Sequence, residues 1–160
     1  MMKFLSMTAI LGAATFAFAA LAPAASAATA PPPTPNTFVA GRGVLTTHGT
    51  GVVATKGALD LHASAGRGIL LVKDPSGDAQ IDVDGYDGTG EWFGMKVYFG
   101  FHGTAHIVGR DAGVLIVGRD IDVKVVGRGW ALLRGRGAFS VKDGPSRPWT
   151  DDGVRTDFAP

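Results

Sequence analysis

The sequence predicts an all-β domain with about ten to twelve short strands punctuated by glycines. Three observations support this: apolar side chains recur at every second position, Gly-x-Gly units recur along the chain, and strong helix formers are scarce between Phe38 and Lys142. Period-two alternation is typical of strands that bury one face. It is longest from Ile121 to Val141, where apolar residues and glycines keep one parity and residues such as Asp122 take the other.

The apolar positions also indicate an internal repeat. Apolar centres lie eight residues apart, at Leu45 and Val53 and again at Ile107, Leu115, Val123, Ala131 and Phe139. Two-residue hairpins would flip the buried parity at each turn, whereas three-residue Gly-x-Gly loops and solenoid corners keep it. We therefore favour a β-solenoid over a meander β-barrel or β-sandwich, and the sequence leaves all of these folds open.

The first 27 residues have the order of a secretory signal peptide. Lys3 precedes a mostly apolar run from Phe4 to Leu21, and the small residues Ala25-Ser26-Ala27 follow it. Such a sequence predicts cleavage after Ala27, because small side chains fit the signal peptidase site. We therefore expect a periplasmic or extracellular protein without a membrane span after cleavage.

The remainder divides into three segments by composition. Residues 28–37 are rich in proline and predict an extended linker. Residues 38–142 form the predicted single β-repeat domain. Residues 143–160 contain three prolines, four aspartates and little apolar content, so we expect a loosely ordered C-terminal tail.

Composition excludes some classes of function. The chain has no cysteine, which excludes disulfides and lipidation at cysteine. Without Lys3, 14 basic and 14 acidic side chains remain. A neutral chain lacks the net basic character typical of nucleic-acid binding, so we expect no nucleic-acid partner.

Three segments and the Gly-x-Gly units resemble a group of small, uncharacterised secreted bacterial β-repeat proteins. The segments are Ile69-Leu70-Leu71-Val72-Lys73-Asp74, Tyr98-Phe99-Gly100-Phe101-His102-Gly103 and Leu132-Leu133-Arg134-Gly135-Arg136-Gly137. The resemblance covers roughly residues 41–142 and extends more loosely to the solenoid heads of bacterial adhesins and to bactofilins. It implies a β-repeat fold and no catalytic residue. Adhesin-like repeats favour Ser and Asp at corners where this chain has Arg. The resemblance therefore does not imply that this chain shares the surface-binding chemistry of adhesins.

An acidic cluster between the predicted strands is the candidate metal site. Asp82, Asp84 and Asp87 supply carboxylate oxygens, which calcium prefers, on a glycine-containing turn. An EF-hand loop would require Asp or Asn at Tyr86 and glycine at Asp87, so that motif is not matched. A solvated turn and a calcium site both stay open; otherwise we expect no cofactor.

The histidines and serines do not form a catalytic or zinc-binding motif. His102 and His106 are four residues apart, which on a strand is about 13 Å and too far for one zinc ion. His48 and His62 have no acidic neighbour arranged to support them, so we expect all four histidines to be surface residues. No serine lies in a Gly-x-Ser-x-Gly motif, and we therefore expect no enzyme.

Arginines that follow glycines are the candidate ligand-binding residues. A repeat of eight residues would align several along one edge, where guanidinium groups suit carboxylates or phosphates. They are Arg42, Arg110, Arg119, Arg128 and Arg136, with Arg67 in the same context. Outward arginines whose stems cover the neighbouring coil are the alternative explanation.

These observations favour a non-enzymatic, exported structural or surface-interaction module. The alternative is an envelope ligand-binding domain for acidic glycans or calcium. Its partners would be cell-envelope polymers or further copies of the chain. Fold alone does not decide between these functions.

Overall fold

The computed structural model describes residues 43–159, and this part of the chain is all-β and without helix. The predicted signal peptide, the predicted linker and Arg42 lie outside the described residues. Eight strands form one sheet: β1 (Gly43–Ser64), β2 (Arg67–Lys73), β3 (Gln80–Asp84), β4 (Gly88–Trp92), β5 (Met95–Phe101), β6 (Thr104–Val141), β7 (Arg147–Pro148) and β8 (Val154–Phe158). Two strands are far longer than expected, with 22 residues in β1 and 38 in β6.

The centre of the sheet is a pair of long strands in which β6 flanks both edges of β1. Leu45 pairs with Val125 on one edge and with Val141 on the other. At the other end of β1, Leu61 pairs with Ile107 and again with Val125. Val125 therefore lies between the start and the end of β1, and this arrangement requires both strands to coil.

The Gly-x-Gly units at residues 49–51, 127–129 and 135–137 lie inside these long strands and not in loops, contrary to the loop or corner positions that the sequence suggested. Gly57 faces Gly129 across the pair, and a Cβ on Gly129 would meet the carbonyl oxygen of Lys56. Glycine within a strand permits such close backbone approach and a tight bend. The glycine pairs therefore let two long strands coil without a break.

The remaining strands extend the sheet from β6. The order β1-β6-β2-β5-β4 runs to one edge, while β3, β7 and β8 pair with other parts of β6. All pairs of named strands are antiparallel, whereas neighbouring coils of a parallel β-helix run in the same direction. The structure is thus an open antiparallel sheet, and it does not show the solenoid pairing or the predicted number of short strands.

The buried face follows the predicted parity along most of the two long strands. Odd-numbered positions of β1 point into the core, as do Ile121, Val123, Val125, Ala131, Leu133 and Phe139 of β6. The register of β1 against β6 shifts at two irregularities in β6, near residues 110–111 and 119–120. Between them the buried residues are even-numbered, so Val114 and Ile116 enter the core and Leu115 does not. The repeat of eight therefore fails at Leu115.

The C-terminal segment differs from the loosely ordered tail that its composition suggested. Within it, β7 and β8 pair with β6, and the side chains of Trp149 and Phe158 are buried. Trp149 Nε1 donates a hydrogen bond of 2.7 Å to Thr47 Oγ1, which donates to the carbonyl of Ala138. Two aromatic anchors thus hold this segment on the sheet.

Residues 43–159 include no helix of the length and apolarity that crossing a membrane requires.

Candidate functional site

A groove of about 630 Å³ crosses the solvent-facing side of the sheet. Because the odd-numbered positions of β1 and of β6 beyond residue 120 fill the core, their even-numbered positions face outward. The groove lies where such positions from the ends of β1, three parts of β6 and β3 come side by side. Double pairing of β1 with β6 is therefore what assembles it.

Two rows of polar side chains run across the strands of the groove. Cross-strand neighbours on one face have Cβ atoms about 5 Å apart, so residues in a row are within contact range. The first row contains Asp82, His106, His62, Lys124, Thr46 and Ser140, and the second contains Asp84, Thr104, Ser64, Asp122 and His48.

Asp60, His62 and His106 form a compact cluster at the groove. His106 Nε2 donates to Asp60 Oδ1 at 2.9 Å, and His62 Nε2 lies 3.5 Å from the same oxygen. The two imidazole rings are stacked, with centroids 4.1 Å apart and an interplanar angle of 10°. One ligand atom from each residue lies within 4.8 Å of the others, so the cluster has the spacing of a metal site.

A second histidine–aspartate pair lies across the groove. His48 Nδ1 donates to Asp122 Oδ1 at 2.8 Å. Next to it, the hydroxyls of Thr46 and Ser140 are hydrogen-bonded at 2.7 Å. The expectation that His48 and His62 have no supporting acid is therefore wrong, and His106 contacts an acid as well. All three are on the surface as predicted.

The groove is acidic. Among its charged residues, Asp82, Asp84 and Asp122 provide three carboxylates and Lys124 one ammonium group. With neutral histidines the lining therefore carries a net negative charge, which favours cationic or neutral polar ligands over acidic ones.

The residues predicted to bind calcium do not come together as one group. Asp82 and Asp84 are exposed on β3 and line the groove. Asp87 lies beyond the end of β3, where its amide donates to the Phe99 carbonyl at 2.9 Å and its carboxylate is next to Gly100. Within residues 43–159, the three-residue group with metal-ligand spacing is instead Asp60, His62 and His106.

The predicted arginines among residues 43–159 are exposed, but they lie in two separate parts of the sheet. Arg67 pairs directly with Arg119, and Arg136 pairs with Thr50, whose hydroxyl lies 3.4 Å from the amide of Asp120. Arg128 pairs with Ala58 on one edge of β1. On the other edge, Ala58 lies opposite the irregularity of β6 at residues 110–111, which contains Arg110. Arg110 Nε is 3.4 Å from Asp78 Oδ2. Arg128 and Arg136 keep their spacing of eight along β6, but the full set does not form one line.

The aromatic residues of β4 and β5 separate into core and surface. Tyr98 and Phe101 are buried, whereas Trp92 and Phe93 are exposed at the tip of the hairpin. Phe93 and Gly94 form a two-residue turn with φ of 48° and 69°, the positive values that a type I′ turn requires. An exposed phenylalanine thus occupies a turn position that usually holds Asn, Asp or Gly.

An apolar patch covers the outer face of the neighbouring strands. Phe99, Ile69 and Val117 are cross-strand neighbours on β5, β2 and β6, and each is between 38 and 48% exposed. Contiguous exposed apolar side chains often mark interaction surfaces.

Sequence reasoning missed the Asp60–His62–His106 cluster. Asp60 and His62 are two residues apart on one strand, so their side chains lie on the same face. The sequence alone could have predicted this part of the cluster. His106 is 46 residues from Asp60, and its position beside His62 depends on the register between β1 and β6.

No protein-family model, curated protein or solved structure matches the chain. The resemblance to secreted Gly-x-Gly proteins stays a prediction, and function is inferred from the geometry of this chain's own residues.

Proposed function

We propose that the chain is an exported, non-enzymatic surface-interaction module that binds its ligand in the acidic groove. The observation that carries the proposal is the set of two polar rows on one face, assembled from both ends of β1 and three parts of β6. Such convergence of hydrogen-bonding groups in a concave surface is typical of binding sites.

The hydrogen-bond partners of the histidines support binding over catalysis. His48 donates to Asp122, His106 to Asp60, and His102 Nδ1 to the Gly100 carbonyl at 2.6 Å. Nucleophilic catalysis by serine or threonine requires the hydroxyl to lie within reach of its base. In residues 43–159, the histidines do not hydrogen-bond to a serine or threonine hydroxyl.

The chemistry of the groove favours a neutral polyhydroxyl or cationic ligand, such as an uncharged or amino-containing envelope glycan. Carboxylates accept hydrogen bonds from sugar hydroxyls and attract ammonium groups, and Ser64 and Thr104 add neutral hydrogen-bonding groups. An acidic glycan would meet the carboxylates of Asp84 and Asp122 and be repelled.

A glycan array with neutral, amino-containing and acidic oligosaccharides tests the proposal. We expect retention of neutral or amino-containing oligosaccharides, and a loss of at least about tenfold in affinity for Asp84→Asn and Asp122→Asn, the cost of a charge-assisted hydrogen bond. Asp152→Asn, an exposed change in the C-terminal segment, is the control and should bind as before. Binding that is equal in all these variants would contradict the groove as the site.

Binding of an acidic polymer at the arginines is the second candidate function. Arg67 and Arg119 are direct cross-strand neighbours, and like charges in such positions are unfavourable unless an anion is shared. We expect Arg67→Gln and Arg119→Gln to reduce retention of acidic oligosaccharides on the same array. Arg110→Gln is the matched control, because that guanidinium already contacts Asp78.

Self-association is the candidate partner interaction, and it is supported by the patch of Ile69, Phe99 and Val117. Sedimentation equilibrium would reveal concentration-dependent dimers that Phe99→Lys abolishes. A monomer at all concentrations would exclude this interaction under those conditions.

Export is tested separately by N-terminal sequencing of protein recovered from the periplasm or medium. We expect mature protein that begins at Ala28, whereas recovery of Met1 on membrane-bound material would contradict export.

A further inference from the structure

We infer that Asp60, His62 and His106 form a binding site for a divalent transition-metal ion such as Zn²⁺. The site lies at the proposed groove, but its three ligands bind the ion without any organic ligand. The two proposals therefore succeed or fail separately.

The arrangement of the donor atoms carries the inference. The Nε2 atoms of His62 and His106 both face Asp60 Oδ1, at 3.5 and 2.9 Å. A tetrahedral zinc ion with bonds of about 2.0–2.1 Å separates its ligand atoms by about 3.4 Å. The side chains therefore need only small movements to surround an ion.

The sheet fixes these donors before an ion arrives. His62 and His106 are a cross-strand pair, and Asp60 is two residues before His62 on the same face of β1. The stacked imidazole rings place both Nε2 atoms on the side of the aspartate. A site that rests on two paired strands is more rigid than one on a loop.

The type of donor determines which ion is bound. Two imidazole nitrogens and one carboxylate oxygen suit Zn²⁺, Cu²⁺ or Ni²⁺, whereas Ca²⁺ and Mg²⁺ prefer oxygen ligands only. The side chains are 60% exposed at His62 and 46% at His106, so water has access to complete the coordination. On binding, each imidazole coordinates through an unprotonated Nε2 and keeps its one proton on Nδ1, because only the unprotonated nitrogen coordinates a metal.

Asp82 is an additional acid next to the cluster, since it is the cross-strand neighbour of His106 on β3. Its carboxylate adds negative charge next to the site and thus favours the cation. The aspartate that the sequence singled out for calcium therefore has a supporting place at a site of different chemistry.

Zinc titration of the purified, chelator-treated full chain tests the inference. Competition with a chromophoric chelator should give one ion per chain, and Ca²⁺ should not compete. We expect His62→Gln, His106→Gln and Asp60→Asn each to lower zinc affinity at least tenfold, and Asp82→Asn to lower it less.

His102→Gln is the matched control, because His102 binds its own segment through the Gly100 carbonyl. Asp122→Asn removes the other histidine–aspartate pair and should also keep zinc affinity. Circular dichroism in chelator confirms that each variant is folded, and the absorption bands of bound Co²⁺ report the coordination. Undiminished affinity in His62→Gln and His106→Gln, or an equal loss in His102→Gln, would overturn the inference.

Discussion

At the scale of single residues, the fold requires glycine at several positions inside the long strands. A Cβ on Gly129 would meet the carbonyl oxygen of Lys56, and a Cβ on Gly137 would meet that of His48. These contacts are with backbone atoms, which cannot rotate away. The glycines are therefore required by the close approach of β1 and β6.

Gly129→Val and Gly137→Val should each destabilise the protein by about 1–3 kcal/mol, the usual cost of overpacking. Arg128→Ala and Arg136→Ala are matched outward changes in the same units and should cost about 0.5 kcal/mol or less. Denaturant melts of the four variants measure the free energies of unfolding. Greater damage from the arginine variants would contradict the observed parity.

Two buried threonines differ in their hydrogen bonding, and this predicts opposite effects of one substitution. Thr55 Oγ1 is buried without a hydrogen-bond partner in the described part of the chain, whereas Thr47 Oγ1 contacts Trp149 and Ala138. Thr55→Val should stabilise the fold by about 1 kcal/mol, because it removes an unsatisfied polar group without a change of shape.

Thr47→Val is the control, and it should cost about 1–3 kcal/mol because it leaves the Trp149 indole N–H unsatisfied. Thermal or chemical melts compare the two. A loss of stability in Thr55→Val would show that its hydroxyl has a partner, such as a bound water.

Asp74 organises the loop between β2 and β3 through its carboxylate. Oδ2 accepts from the amide of Ala79 and Oδ1 from that of Gly77, both at 2.9 Å. The Ala79 hydrogen bond, helped by those from Gly77, Ser76 and Asp78, outweighs the desolvation and lowers the pKa of Asp74 below its usual 3.8. The folded state therefore favours the ionised carboxylate.

Asp74→Ala should lower the melting temperature at neutral pH, and the difference from the parent protein should shrink in acid. A lowered pKa contributes stability that is complete above 3.8 and is lost as the pH falls through the lower value of the folded state. Melts at several pH values measure this difference. A difference that stays constant down to the lowest pH would exclude the carboxylate as its cause.

At the scale of elements, the C-terminal segment is held by its aromatic side chains. Trp149 packs against Gly137, where a Cβ would lie 2.9 Å from its Cδ2 atom, and its indole donates to Thr47. Phe158 is fully buried at the end of β8. Because Gly137 has no side chain, β6 leaves space for the indole ring of Trp149, which anchors the C-terminal segment.

Trp149→Ala should cost about 3–5 kcal/mol, as for other buried aromatic residues, and Trp149→Phe should cost less. Trp92→Ala is the control at an exposed tryptophan and should have little effect on stability. Limited proteolysis should release the segment after residue 142 from Trp149→Ala before the rest of the domain is cleaved. Equal stability of the Trp149 and Trp92 variants would contradict the docking.

At the scale of the whole molecule, β6 flanks β1 on both edges. We therefore expect the backbone amides of this pairing to be the best protected from hydrogen exchange. Residues 51–57 of β1 lie between residues 112–118 and 129–135 of β6. In contrast, β4 pairs only with β5 among the described strands. Exposing residues 51–57 requires β1 to separate from β6 on both edges, whereas β4 has to separate only from β5.

Hydrogen exchange should therefore be slower at residues 51–57 than at β4 by roughly two orders of magnitude or more, because the centre exchanges only through global unfolding. Exchange followed by mass spectrometry of the native protein measures this difference. Equal exchange rates in the two segments would contradict the central position of β1.

The sequence by itself determined the all-β class and the buried parity of residues 121–139, because alternation of side chains is a local property of a strand. It also correctly predicted exposed histidines and arginines. It did not determine where strands end, since glycine suits a turn, a corner and a close strand crossing equally well. The Gly-x-Gly units therefore predict loops or corners, whereas those at residues 49–51, 127–129 and 135–137 lie within two long strands.

Only the tertiary structure decided which distant positions become neighbours. The cluster of Asp60, His62 and His106 exists because the register sets β1 against the start of β6, and the groove exists because β6 returns along the other edge. The anchoring of Trp149 and Phe158 likewise depends on spaces between strands that are far apart in sequence. Pairing of this kind is set by the summed packing and hydrogen bonding of many residues, so no local pattern specifies it.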